Sequence, residues 1–179
     1  MSKIKNPRII RLTNFKDFRG KLSRIFCTES LKKKNLSFNI KQINHVLVKK
    51  KATIKGMHIQ LQPFNEIKLV KVIKGKIFDV VLDLRKNSKN FLKYKVFTLD
   101  SSTNNLLIIP KGFAHGFQSL TNNCEIIYCH SETYNPKKEL SINPLDPNIS
   151  INWPLKKPII SSKDLNSQYI YDDFKGIVI

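Results

Sequence analysis

The sequence predicts an all-β protein, a double-sheet jelly-roll barrel with short helical segments. Short runs rich in Val, Ile, Phe and Tyr recur along the 179 residues, with turn signals between them. This pattern is typical of a β-sandwich or barrel. Glycine is scarce, and neither an internal repeat nor a low-complexity linker divides the chain. One domain over residues 1–179 is therefore expected.

Each segment with strand character is short and β-branched or aromatic. In chain order they are residues 9–12, 22–27, 40–47, 53–60, 67–74, 76–83, 93–99, 105–109, 116–120, 125–131 and 149–152. Gly75 lies between two of them and predicts a tight turn, because glycine readily takes a positive φ. Residues 28–34 predict a short helix. The segment after Trp153 predicts a packed arm that ends in a capped turn or helix near residues 161–166.

The formal net charge of +19 raises the hypothesis of nucleic-acid binding. The lysines, however, are spread through every segment, and their clusters at residues 32–34 and 49–51 fall in polar connections. These clusters predict a solvated surface rather than a nucleic-acid site. The positive field favours a small anionic substrate such as a nucleotide diphosphate. No nucleic-acid partner is expected.

The remaining composition predicts a cytoplasmic protein that does not cross a membrane. No apolar run approaches the roughly 20 residues that a membrane-spanning helix needs. The basic N-terminus, residues 1–7, is not followed by an apolar segment of the kind that a secretory signal contains. The three cysteines are odd in number and lack metal-like spacing, which indicates a reducing compartment.

Two histidines lie in β-prone, mostly apolar segments, His58 in residues 55–60 and His115 in residues 109–117. Strand alternation over residues 53–60 puts Lys55 and Met57 on one face and His58 and Gln60 on the other. A polar side chain inside a small barrel is costly unless it is hydrogen-bonded or used. Such histidines therefore indicate a base, a metal ligand or a satisfied core residue.

A metal site is the first alternative. Cupins, which are jelly-roll proteins, often bind a metal through a His-x-His pair, a following Glu, and a His after Pro-x-Gly-x-x. Residues 110–115 match the last element and Glu66 has a suitable place, but Gln60 replaces the second histidine of the pair. A neutral amide oxygen is a weak ligand for divalent metals. The sequence therefore does not predict a tightly held metal.

The second alternative is proton transfer at carbon. A histidine can remove a proton next to a ketone if a carboxylate orients its ring. The resulting enolate needs a positive or hydrogen-bonding group near its oxygen. Lys68 precedes the apolar pair Leu69-Val70 and is a candidate for that role; the alternative is a surface lysine.

From about Phe15 to Asp164 the chain resembles the dTDP-4-dehydrorhamnose 3,5-epimerases, the RmlC-like cupins. Several ordered motifs carry the resemblance. They are Asp17-Phe18-Arg19-Gly20, Gln42-Ile43-Asn44-His45, Gly56-Met57-His58-Ile59-Gln60, Lys68-Leu69-Val70, Asp83-Leu84-Arg85, residues 109–117, Tyr128, Tyr134-Asn135-Pro136 with Glu139, Ile151-Asn152-Trp153-Pro154 and Ser162-Lys163-Asp164.

The resemblance implies a metal-free and cofactor-free epimerase that inverts C3, C5 or both in a nucleotide-linked 4-keto-6-deoxyhexose. His58 matches the base, Asp164 its carboxylate partner, and Tyr128 the acid on the opposite face of the sugar. The family is dimeric, with N-terminal strand exchange helping to build each site, so a homodimer is implied. The residues that match substrate-binding positions are Arg19, Gln42, Asn44, Lys55, Lys68, His115 and Tyr134.

Two departures from the family pattern leave the nucleotide open. Lys55 stands where the family has an arginine, and a lysine offers a point charge instead of a planar fork for phosphate. Arg24 stands where the family commonly has a glutamate. Chemistry is therefore better supported than substrate identity.

Bland interpretations of the same residues also stay open. Tyr128 can be a core tyrosine, Asp164 a helix N-cap, and His115 a wall residue, while His45 and His130 are not expected to be catalytic. A related nucleotide-sugar ketoisomerase and a non-catalytic sugar-binding cupin are the alternative functions.

Overall fold

The computed structural model describes residues 4–171 and 173–179, so Met1, Ser2 and Lys3 of the basic N-terminus lie outside the described residues. Strands dominate. They are β1 (Arg8–Arg11), β2 (Asn14–Asp17), β3 (Gly20–Ser23), β4 (Gln42–Val48), β5 (Thr53–Gln60), β6 (Lys68–Lys74), β7 (Lys76–Asp83), β8 (Tyr94–Asp100), β9 (Asn105–Ile109), β10 (Phe113–Ser119), β11 (Cys124–His130), β12 (Glu139–Ser141) and β13 (Ile159–Ile160). The helices are α1 (Thr28–Lys32), α2 (Ser162–Leu165) and a 3₁₀ turn at Pro136–Lys138.

Two large sheets face each other. One has the order β1-β9-β6-β11-β4, and the other has the order β12-β5-β10-β7-β8, with β13 paired to β5; β2 and β3 form a separate hairpin. Between the large sheets lies an apolar core that includes Val70, Val81, Phe117 and Ile126. The all-β jelly-roll prediction is confirmed. Alternate residues along each strand face the opposite sheet, so each sheet buries one face against the other.

Other apolar clusters cover the outer faces of both sheets. Trp153 and Ile170 of the C-terminal arm pack on the six-stranded sheet, and the indole N–H of Trp153 donates to the carbonyl of Pro144 at 2.8 Å. Leu31 and Leu36, in and after α1, pack on the five-stranded sheet. The predicted helix at 28–34 and the packed arm with its capped end are confirmed.

Two strand predictions are wrong. Residues 149–152 form no strand: a turn over residues 147–149 leads into irregular chain, and the N–H groups of Ile149 and Ser150 both donate to the carbonyl of Asp146. Ile149 is buried and Ile151 is partly buried against the six-stranded sheet, so burial without strand pairing produced the misleading pattern. The predicted strand 22–27 ends at Ser23, because Ile25 and Phe26 turn onto the cluster around α1.

In the part of the chain that the structure describes, no helix is long and apolar enough to cross a bilayer.

Candidate active site

One cavity of about 240 Å³ opens between the two large sheets. Strands β5 and β10 line it from one sheet, and β4, β6 and β11 line it from the other. Every predicted site residue except Arg19 lines this cavity. Those that do are Gln42, Asn44, Lys55, His58, Lys68, His115, Tyr128, Tyr134 and Asp164.

A bulge in β5 sets the direction in which His58 points. Two residues of β10, from His115 to Phe117, oppose three residues of β5, from His58 back to Lys55. The extra residue shifts the alternation of side chains along β5 by one position. Lys55 therefore lines the same cavity as His58 and Gln60, and the prediction that alternation separates Lys55 from His58 is wrong.

Gly56 makes this bulge possible. Its φ is +108°, and a Cβ at this position would lie 2.6 Å from the backbone of both His115 and Gly116. Only glycine combines that φ with so close an approach of two backbones. The Gly-x-His pattern thus has a local structural cause.

His58 is held by Asp164. Its Nε2 lies 2.7 Å from Oδ1 of Asp164, and the backbone N–H of Gly56 donates to Oδ2 at 3.4 Å. Burial by itself raises the pKa of the Asp164 carboxyl, but the hydrogen bond and charge of His58, together with hydrogen bonds from Ser161 and Gly56, outweigh it and hold that pKa below its ordinary value. An ionised Asp164 fixes the tautomer with the proton on Nε2, which leaves the lone pair on Nδ1 of His58.

The N-cap interpretation of Asp164 is wrong. Ser161 is the N-cap of α2, and its side chain accepts a hydrogen bond from the backbone N–H of Asp164. The Asp164 carboxylate is thereby free to reach across to β5.

Glu139 is a second carboxylate beside His58. Its Oε1 lies 3.6 Å from Nδ1 of His58, while its Oε2 accepts hydrogen bonds from Tyr134 and Lys163 at 2.7 and 2.8 Å. Burial raises the pKa of Glu139, but Lys163 and Tyr134 more than offset this, so that pKa is lowered. An imidazolium at His58 would thus lie between two ionised carboxylates.

Tyr128 faces the cavity from β11, on the sheet opposite β5. Its ring lies edge-on to those of His115 and His130, at centroid distances of 5.7 and 6.0 Å. Burial, together with the negative charge of Asp79, raises the pKa of the Tyr128 phenol well above its ordinary value. Tyr128 therefore keeps its proton at neutral pH, which is what an acid requires. Its ring also packs against the central core. Tyr128 is therefore both a core residue and a cavity residue, with different parts of the ring in each environment.

His115 is paired with a fully buried carboxylate. Its Nε2 lies 2.8 Å from Oδ2 of Asp79, and His115 itself is only 6% exposed. Burial raises the pKa of Asp79, against the opposing effect of His115. The hydrogen bond with Asp79 fixes the orientation of the His115 imidazole in the wall of the cavity.

Lys68 points into the cavity, so the alternative of a surface lysine is wrong. Its side chain is 12% exposed, and its ammonium lies 3.3 Å from Oε1 of Glu66 and 3.5 Å from the carbonyl of His58. The Lys68 ammonium is thus held beside the backbone of His58, whose Nδ1 carries the free lone pair.

Gln42 and Asn44 of β4 form a polar wall. The Gln42 amide donates to Oδ1 of Asn44 at 3.1 Å and accepts from the backbone N–H of Tyr134 at 2.9 Å. Gln60, which replaces the second histidine of a metal pair, bonds the backbone of Thr133 and Asn135. It fastens the loop that carries Tyr134. Among residues 4–171 and 173–179, no group of three or more His, Cys, Asp or Glu side chains is placed to hold a metal ion.

Arg19 and Arg24 lie away from the cavity of their own chain. Arg19 is in the β2–β3 hairpin, where it forms an ion pair with Asp17 at 2.6 Å. Arg24 follows the hairpin, with its guanidinium 6.0 Å from the Phe15 ring centroid. Of the two departures from the family pattern, only Lys55 lines the cavity.

Three further residues line the cavity. The sequence suggested Glu66 only as a possible metal ligand, named Glu139 only within a family motif, and did not predict a catalytic role for His130. One signal was available for His130, because strand alternation along β11 puts it on the same face as Tyr128. Glu66 and Lys68 are likewise two residues apart. Glu139 belonged to a family motif but had no assigned role, because its place in the site depends on contacts with His58 of β5 and Lys163 of α2.

A jelly-roll barrel that presents an oriented imidazole and a protonated phenol to one cavity from opposite sheets defines a class of cupin suited to proton transfer at carbon. Comparison with known proteins narrows this class. Residues 1–172 match the family model described as dTDP-4-dehydrorhamnose 3,5-epimerase. The chain belongs to this family of isomerases.

Individual relatives agree with that assignment. The dTDP-4-dehydrorhamnose 3,5-epimerase of Shigella flexneri is 38% identical over 68% of this chain and 67% of its own. That of Sinorhizobium fredii is 33% identical over 90% and 83%. The crystal structure of the Bacillus anthracis enzyme, with TDP and pyrophosphate bound, aligns with a TM-score of 0.90 at 29% identity, covering 95% of this chain and 97% of the other.

Proposed function

We propose that this protein epimerises a nucleotide-linked 4-keto-6-deoxyhexose at C3, C5 or both. The observation that carries the proposal is the placement of the His58–Asp164 pair and Tyr128 on opposite walls of one cavity, in a chain of this family. Inversion needs one group to remove a proton from one face of the sugar and another to return it to the other face. The two walls supply those groups.

The reaction proceeds through an enolate. Nδ1 of His58 takes the proton from the carbon next to the ketone, and the electrons of the broken C–H bond move onto the ketone oxygen. The Lys68 ammonium and the His115 imidazole stabilise the negative charge there. The enolate then collapses, and its carbon takes the phenolic proton of Tyr128 on the opposite face. The active site is restored when Tyr128 regains a proton and His58 loses one.

Relatives support a thymidine nucleotide as the carrier. The Legionella pneumophila epimerase was crystallised with dTDP-4-keto-L-rhamnose, and it aligns with a TM-score of 0.86 at 31% identity over 93% of this chain and 89% of its own. We therefore propose dTDP-4-keto-6-deoxyglucose as the substrate, with Lys55, Gln42, Asn44 and Tyr134 around it. Some relatives are 3-epimerases. An experiment must therefore determine whether this protein inverts one carbon or two.

Deuterium exchange tests the proposed function. The protein is incubated in deuterated water with 4-keto-6-deoxyglucose linked to dTDP, UDP or GDP, and the sugar is followed by NMR. Deuterium at C3 or C5, with an inverted product, is expected for the dTDP sugar. Intact substrate that binds without exchange would favour a sugar-binding cupin, and a ketone moved along the ring would identify a ketoisomerase.

We also propose a homodimer in which the β2–β3 hairpin docks on a second copy. The hairpin exposes three large apolar side chains, Phe15 at 54%, Phe18 at 98% and Leu22 at 60%. Adjacent exposed apolar groups of this size are typical of an interaction surface. Docking of the hairpin would carry Arg19 to the cavity of the partner.

Complementation between two inactive variants tests the exchange. Arg19→Ala and His58→Asn chains, with different affinity tags, are co-expressed and the mixed species is purified. If Arg19 acts across the dimer, the Arg19→Ala subunit receives an intact hairpin from its partner, and about half of the wild-type activity returns. Mixed species as inactive as either parent, or a monomer in analytical ultracentrifugation, would contradict the proposal.

A single domain over residues 1–179 and a cytoplasmic location complete the proposal. The free cysteines Cys27, Cys124 and Cys129 are consistent with a reducing compartment. Two stable fragments after limited proteolysis, or recovery of the protein outside the cytoplasm in cell fractionation, would argue against these assignments.

A further inference from the structure

A third imidazole–carboxylate pair lies in the wall of the cavity and has no part in the mechanism above. Nδ1 of His130 lies 2.8 Å from Oε2 of Glu66, and the two residues are 9% and 8% exposed. Glu66 lies two residues before the start of β6, and His130 ends β11. The pair therefore connects two neighbouring strands at the cavity.

The second oxygen of Glu66 is bound to Lys68. Oε1 lies 3.3 Å from the ammonium, so each oxygen of the buried carboxylate has its own partner. Burial raises the pKa of Glu66, but the hydrogen bond from His130 and the charge of Lys68 outweigh it, and that pKa lies below its ordinary value. Glu66 is therefore ionised at neutral pH, as a carboxylate with two such partners should be.

The other ring nitrogen of His130 is also engaged. Its Nε2 lies 3.4 Å from the side-chain amide nitrogen of Asn44. With the Nδ1 proton donated to Glu66, Nε2 accepts from Asn44. Lys68, Glu66, His130 and Asn44 thus form a continuous chain of polar contacts along one wall.

This chain of contacts limits the freedom of Lys68. A lysine side chain is long and flexible, and its rotamer entropy opposes holding it in one place. Groups that stabilise an enolate act only if they are already in position when the charge develops. A displacement of about 1 Å can cost up to about 100-fold in rate.

We propose that Glu66 and His130 are positioning residues: Glu66 holds the Lys68 ammonium where the enolate oxygen forms, and His130 fixes Glu66 while turning Asn44 towards the sugar. This inference rests on the proposed epimerase function. The negative charge of Glu66 also partly screens Lys68, so the proposal requires that the gain from positioning exceeds this loss.

Four variants test the proposal. Glu66→Gln removes the charge at nearly constant shape. His130→Leu removes the hydrogen bond to Glu66, whereas His130→Asn keeps it, because the amide nitrogen of asparagine can take the place of Nδ1. Glu29→Gln is the control, since Glu29 forms an exposed ion pair with Lys32 at 3.0 Å on α1. Thermal midpoints are measured for all four.

Deuterium exchange is expected to show about a tenfold lower kcat in Glu66→Gln and His130→Leu, with KM changed less than about twofold. His130→Asn should recover most of the rate, and Glu29→Gln should match the wild type. A purely structural role would lower the thermal midpoint without separating kcat from KM. An unchanged or higher kcat in Glu66→Gln would overturn the proposal.

A measurement without substrate separates this inference from the proposed function. The ammonium NMR signal of Lys68, assigned by its loss in Lys68→Arg, reports how tightly the group is held. It should shift and broaden in Glu66→Gln and His130→Leu but not in His130→Asn. If the wild type exchanged no deuterium while the signal responded in this way, the epimerase function would fail and the positioning of Lys68 would stand. A signal indifferent to Glu66→Gln would refute the positioning itself.

Discussion

Replacing His58 with asparagine is expected to lower both deuterium exchange and epimerisation by about 1,000-fold, within the range that a general base contributes. Asparagine has no lone pair that can take a proton from carbon, although it is polar and smaller than the imidazole it replaces. Rates are measured by NMR in deuterated water under saturating substrate. Because the base acts in the chemical step, kcat should fall much more than KM rises.

His45→Asn is the matched control for this change. His45 is an exposed residue of β4, 3.3 Å from Glu125, and it does not line the cavity. Its rate should equal that of the wild type. A His58→Asn protein that is folded by circular dichroism and still exchanges within tenfold of the wild type would exclude His58 as the base.

Replacing Tyr128 with phenylalanine is expected to separate proton removal from inversion. His58 and Asp164 stay intact on the other wall, so the sugar should still lose its proton and regain deuterium on the same face. Without the phenol, delivery to the opposite face should fall by about 100-fold or more. The high pKa of Tyr128, raised by burial and by Asp79, makes the phenol a proton donor throughout the neutral range.

The measurement compares deuterium incorporated with product inverted in the same sample. The wild type should show both, and Tyr128→Phe should show deuterium in sugar of unchanged configuration. Tyr94→Phe serves as the control, because the Tyr94 hydroxyl bonds the carbonyl of Ser150 at 3.4 Å outside the cavity. Equal loss of exchange and inversion in Tyr128→Phe would instead make Tyr128 part of the proton-removing apparatus.

The arrangement of side chains in the site could be predicted only in part from the sequence. The histidine motif at 56–60 predicted a strand with an inward imidazole, and β5 carries one. The same reasoning put Lys55 on the wrong face, because alternation assumes a regular strand and the bulge at Gly56 adds a residue. Glycine is required at position 56 because Gly116 approaches it closely, and Gly116 lies on a different strand, β10.

The roles predicted for Asp164 and Tyr128 depended on the resemblance to a family, whereas Lys68 was a candidate because it precedes the apolar pair Leu69-Val70. Asp164 at the start of a helix satisfied the pattern of an N-cap equally well, and only the position of Ser161 resolved that ambiguity. Lys68 could be distinguished from a surface lysine only by its burial against Glu66. A charged residue looks alike in sequence whether it faces water or a cavity.

Local sequence patterns were sufficient to predict the all-β class, most of the strands and the apolar faces that form the core, because each depends on residues two positions apart in the same segment. Which ionisable groups meet depends on the fold of the whole chain. His58 and Asp164 are 106 residues apart, and Glu66 and His130 are 64 apart. The charge state and orientation of such groups depend on burial and on the partner that each one finds. Both of these exist only when the two sheets close over the cavity.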